Sequence, residues 1–125
     1  MKTDETESGT ENVCSLSYLS EIMGGKKNLI KEIMDVFLKQ IPEELQCIND
    51  SVAKADYPIV KSLAHTMKSS VSIMGISILG PILQEMVDLA KEAENIEKIK
   101  GLNLKLNQIC MRAISEIETA KHSYV

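Results

Sequence analysis

Apolar residues return every three or four positions along almost the whole chain, and nowhere do they alternate with the period of two that a half-buried strand requires. Breakers cut this helical pattern into segments. A short helix is expected from Leu16 to about Met23, with Ser15 or Ser17 as N-cap and Gly24-Gly25 as the stop. The next runs from about Lys27 to Gln40, where Leu29, Ile30, Ile33, Met34, Phe37, Leu38 and Ile41 share helical spacing. Pro42 breaks that run and suits the first turn of a new helix, Glu43 to Ala53, with Glu43 and Glu44 at its positive end. Leu45, Ile48 and Val52 form its inner face.

Asp56 can cap a helix reaching Met74, with Pro58 tolerated in the first turn. Ser77 or the Gly80-Pro81 pair opens another, ending near Glu94 and carrying Ile82, Leu83, Met86, Leu89 and Ala90. A last helix follows Asn95 or Gly101 and extends to about Lys121, with Leu102, Leu106, Ile109, Ala113, Ile114 and Ile117 inward. The sum predicts an all-α antiparallel four-helix bundle with one or two extra short helices.

The chain has 125 residues, enough for one domain with one core. Residues 1–13 form a polar, acidic tail too poor in apolar side chains to order itself, and residues 14–122 form the bundle. The starting Met and this tail favour a free-standing protein over a segment cut from a longer chain. A net charge of −4 and the lack of a basic stripe argue against nucleic acid. No apolar run is long enough to span a bilayer. Cys14, Cys47 and Cys110 have no metal-ligand spacing and read as free thiols in a reducing, cytoplasmic compartment.

One helix carries chemistry. Winding Asp56–Met74 at roughly 100° per residue puts Lys61, Lys68, Ser69 and Ser72 within about 60° of His65. Val60, Leu63, Met67, Val71 and Met74 fall on the far side. The imidazole therefore faces away from the core, with an ammonium group one turn to either side. Neutral imidazole offers a nucleophilic lone pair, and the two lysines can offset the charge of a phosphoryl group attached to it. Ser69 is small and carries a hydroxyl able to donate to a phosphate oxygen. A surface histidine on an amphipathic helix is by itself unremarkable; the surrounding residues distinguish this one.

At Ala64-His65-Thr66-Met67-Lys68-Ser69, followed by Gly75 ten residues after the histidine, the sequence resembles the histidine-containing phosphotransfer (HPt) domains of multistep phosphorelays. Their motif runs Ala-His-x-x-Lys-Gly with a second glycine at that distance. Leu29 to Phe37, Pro42 and the Ala53-to-Asp56 turn follow the same layout, so the likeness covers roughly Leu16 to Ala120. The resemblance implies that His65 takes a phosphoryl group from a receiver-domain phosphoaspartate and passes it to another receiver. Lys68, Lys61 and Ser69 would surround the group. The partners would be response-regulator receivers and a hybrid sensor histidine kinase, with magnesium bound on the receiver and no cofactor intrinsic to this chain.

Two positions depart from the family pattern. Ser69 stands where most members have glycine. Members also commonly place Glu or Gln twenty-two residues after the histidine to accept from Nδ1–H; here that position is Val87. In an antiparallel hairpin turning at Gly75, His65 lies level with the stretch around Glu85, which makes Gln84 the substitute acceptor, water alone being the alternative.

Ile73, Ser72, Met34 and Phe37 are expected to border a docking surface beside His65, unless the helix bearing Met34 and Phe37 is simply buried on two sides. No Gly-rich phosphate loop, nucleotide site, metal cluster or nucleophile-base pair is legible, so a phosphocarrier suits the chain better than a stand-alone enzyme. Two rivals remain open: an adaptor that binds receivers without taking phosphate, and a structural helical subunit. The relay reading predicts a monomer; the structural subunit predicts an oligomer.

Overall fold

The computed structural model describes residues 12–122. Five helices follow in order: α1 (Leu16–Ile22), α2 (Lys27–Ala53), α3 (Tyr57–Ile73), α4 (Leu79–Glu92) and α5 (Ile96–Lys121). Successive long helices run antiparallel through short turns. α2 packs on α3 and α5, and α4 packs on α3 and α5, so α3 and α5 sit diagonally across a four-helix bundle. The single short helix α1 lies against α2 at one end.

The helix boundaries follow local chemistry. Ser15 caps α1 by accepting from the Tyr18 N–H at 3.3 Å. Asp56 occupies the N-cap position of α3 without a side-chain bond, and Pro58 sits in the first turn. Of the two possible starts for the last helix, Asn95 is the one used; its side chain accepts from Lys98 N–H, and Gly101 lies within the helix. α4 begins at Leu79, which places Pro81 where no intrahelical N–H bond is lost.

The break expected at Pro42 does not occur. α2 continues through it as one helix of 27 residues. The missing N–H and the ring's clash with the preceding turn cost about 3 kcal/mol. Phe37 and Ile41 before the proline, and Leu45 and Ile48 after it, are all buried on one continuous face. Burial at about 1.5–3 kcal/mol per side chain outweighs that cost. Glu44 is consequently mid-helix rather than at a helix N-terminus. Its Oε1 is buried without a hydrogen-bond partner, and desolvation raises its pKa.

Met34 and Phe37 belong to the core, at 0 % and 4 % exposure, and so do not form the surface expected of them. They fall on the line Ile30–Met34–Phe37–Ile41, the centre of the α2 stripe, which faces the bundle axis. The opposing layers come from Val60, Ala64, Met67 and Val71 of α3, Leu83 and Met86 of α4, and Leu106, Cys110 and Ala113 of α5.

Polar contacts fix the register around this core. Asn49 of α2 donates to Asn107 Oδ1 at 3.0 Å and accepts from Asn103 and Asn107 of α5 at 2.8 and 2.9 Å. Glu116 of α5 accepts from the backbone N–H groups of Val13 and Cys14 at 2.7 and 2.9 Å, tying the segment before α1 to the bundle. The tail expected over residues 1–13 lies almost wholly outside the described residues; Val13, at its end, is half-buried and held by that bond. No described helix is long and apolar enough to cross a membrane.

Candidate functional site

The α3 backbone sorts its side chains by angle, and the core takes Val60, Ala64, Met67 and Val71. The opposite face is left to solvent. His65, Lys61, Ser69 and Ser72 are exposed there, and Lys68 is half-buried on the flank turned toward α4. The sequence places all five as found. Among the described residues, the His65 ring has no hydrogen-bond partner.

Lys68 does not stand free beside the ring. Its Nζ donates to Gln84 Oε1 across the α3–α4 groove, and Gln84 Nε2 in turn donates to Asp88 Oδ1 at 2.9 Å. Gln84 therefore bonds Lys68 rather than His65, contrary to its expected part as the imidazole's acceptor. The physical reason is charge: an ammonium is a stronger partner for an amide oxygen than a neutral ring N–H. Val87 is 8 % exposed and packs inward. It offers the ring no polar atom.

Gly75 ends α3 with φ +67°, a conformation natural to glycine. The Ser15 N–H donates to the Met74 carbonyl at 3.2 Å, which draws the start of α1 over this turn. Ser72 lies beside the junction, lining an open depression of about 310 Å³ with Ser15, Tyr18, Gly75, Ile76 and Ser77.

On the other flank, Ile73 is 39 % exposed and meets α2 around a shallow depression of about 80 Å³ lined also by Ile33, Val36, Phe37, Gln40 and Ser70. Phe37 contributes only an edge to it. Of the α2 residues lining this depression, Val36 is the exposed apolar one, at 45 %, and the sequence reading does not include it. Its signal was present: Val36 falls off the Ile30–Met34–Phe37–Ile41 line. Asp88 was missed too, although Gln84 and Asp88 have the i, i+4 spacing at which such side chains meet on a helix.

The fold is an up-and-down helical bundle with an exposed imidazole between two lysines on its outer surface. Residues 32–119 match the family model described as Hpt domain. The chain belongs to that family. Membership implies a phosphotransfer role in phosphorelays and interaction with receiver domains. No curated protein and no solved structure matches the chain.

Proposed function

We propose that this protein is a phosphocarrier in which His65 accepts a phosphoryl group from the phosphoaspartate of one receiver domain and yields it to the aspartate of another. The observation that supports this most directly is the solvent exposure of His65 on the face of α3 opposite the core, within the family's motif. In the forward step the Nε2 lone pair forms a bond to phosphorus as the acyl-phosphate P–O bond breaks. The aspartate carboxylate leaves with the bonding pair, and Nδ1 keeps its proton. Transfer onward reverses these events on a second carboxylate.

Phosphoryl transfer is mostly alignment and charge stabilisation. On this side Lys68, with Lys61, supplies positive charge, and Ser69 leaves the approach open. The receiver supplies the magnesium ion and acidic pocket, while Ile73, Ser72 and the exposed side of the α2–α3 depression receive its surface. A hybrid sensor histidine kinase is the upstream source, the protein acts as a monomer, and unpaired Cys14, Cys47 and Cys110 suit the cytoplasm.

Incubation with a phosphorylated receiver tests this. An acid-labile, base-stable label that disappears in His65→Gln supports transfer. Receiver binding with no label supports the adaptor reading instead, which the apolar Val87 favours because nothing on α4 fixes the imidazole tautomer.

A further inference from the structure

We infer that Gln84 and Asp88 act together as positioning residues for Lys68, holding its ammonium beside His65 with its charge unspent. The inference rests on the phosphocarrier reading and extends it to a pair of α4 residues that do not touch the ring.

A lysine on a helix surface samples many rotamers, and fixing it costs side-chain entropy that a phosphoryl group would otherwise have to offset on arrival. Here Lys68 is half-buried and already bonded to Gln84 Oε1. The identity of that acceptor matters. A carboxylate in the same place would neutralise the ammonium and compete with incoming phosphate; an amide oxygen holds the group while leaving its net charge intact. An ammonium has three donors. Gln84 occupies one, so two remain for phosphoryl oxygens.

An amide has two ends, and only one serves. Turned over, the Gln84 NH₂ would face the Lys68 ammonium and repel it. Asp88 settles the choice, because its carboxylate accepts from Gln84 Nε2 at 2.9 Å and can accept only from that end. Among the described residues Asp88 makes no ion pair with Lys68, so its charge orients the amide without quenching the lysine. The chain Asp88–Gln84–Lys68 therefore reads as orienter, tether and cation.

The test uses the full chain and a radiolabelled phosphoreceiver, following the initial rate of label transfer to His65. Gln84→Leu and Asp88→Ala are expected to slow transfer about 3- to 10-fold, the scale of one hydrogen bond. Both residues are exposed, and circular dichroism checks that the variants fold. Asp88→Glu should recover most of the rate, since a carboxylate still accepts only from Gln84 Nε2. In a Lys68→Ala background neither Gln84→Leu nor Asp88→Ala should slow transfer further. Wild-type transfer at His65 with an unchanged rate in Gln84→Leu overturns the inference and leaves the phosphocarrier reading standing. So does an equal loss in the Lys68→Ala background. Absence of any His65-dependent label on the wild type overturns both.

Discussion

Gly75 lies directly against Ser15: a Cβ on the glycine would come within 2.7 Å of the Ser15 Cβ and 2.9 Å of its carbonyl oxygen. Both neighbours are parts of a segment already fixed by the Ser15-to-Met74 backbone bond and by Glu116. The glycine ten residues after the histidine thus has a structural task, letting the start of α1 close over the end of α3.

Gly75→Ala should therefore destabilise the protein by about 1–3 kcal/mol, combining a left-handed backbone with a steric clash. Urea denaturation measures this. An unchanged midpoint would mean the junction is looser than the geometry indicates.

Phe37→Ala should cost about 3–5 kcal/mol of stability, because it empties part of a packed core. Val36→Ser, one residue earlier but exposed, should change stability by no more than about 0.5 kcal/mol. If the α2–α3 depression receives a receiver domain, Val36→Ser lowers receiver affinity while leaving the denaturation curve in place. Titration calorimetry beside urea melts separates the two effects.

The three thiols should differ sharply toward an aromatic disulfide reagent. Burial, together with Glu116, pushes Cys14 up to about 12; burial, together with Glu44, does the same for Cys110. Neither presents thiolate near neutral pH. Cys47 is exposed. One thiol should react quickly in the native protein and all three in denaturant, and Cys47→Ser should remove the fast phase. A second fast native thiol would contradict the packing around α5.

Glu44 makes stability depend on pH with a definite sign. Desolvation raises its folded-state pKa above the ordinary 4.5, so the folded protein holds that proton more tightly than the unfolded chain. Its contribution is present below 4.5 and is lost as pH rises through the folded value. Glu44→Gln should flatten the stability profile above pH 4.5 and be at least as stable as wild type at pH 7. Urea midpoints across that range give the slope; a steeper decline in the variant would reverse the sign.

Much of this was legible because helical period and core burial are the same fact seen twice. Val60, Met67 and Val71 define the inward face of α3 in sequence, and His65 opposite them is exposed as that spacing requires. Local propensity points to a break at Pro42, whereas the tertiary packing on either side of it, which carries the helix through, is not visible in the sequence. The wide apolar stripe around Met34 and Phe37 does not reveal how many neighbours cover it, and both turn out to be core. Gln84 lies on the groove its spacing predicts, but its partner there is Lys68 and not the imidazole. Pairing across helices depends on side-chain reach, and the sequence does not show that Lys68 gets there before the ring.

Asn49 and its two α5 partners divide the bundle into unlike halves. α2 and α5 are keyed together by amides that match at one axial offset, and slipping by a turn would strand several polar groups at once. Between α3 and α4, among the described residues, the side-chain hydrogen bond is Lys68 to Gln84, and the remaining contact is close apolar packing. The axial offset of the bundle is thus set by helices other than the one that bears the histidine, so the residues facing an incoming protein are spared that task.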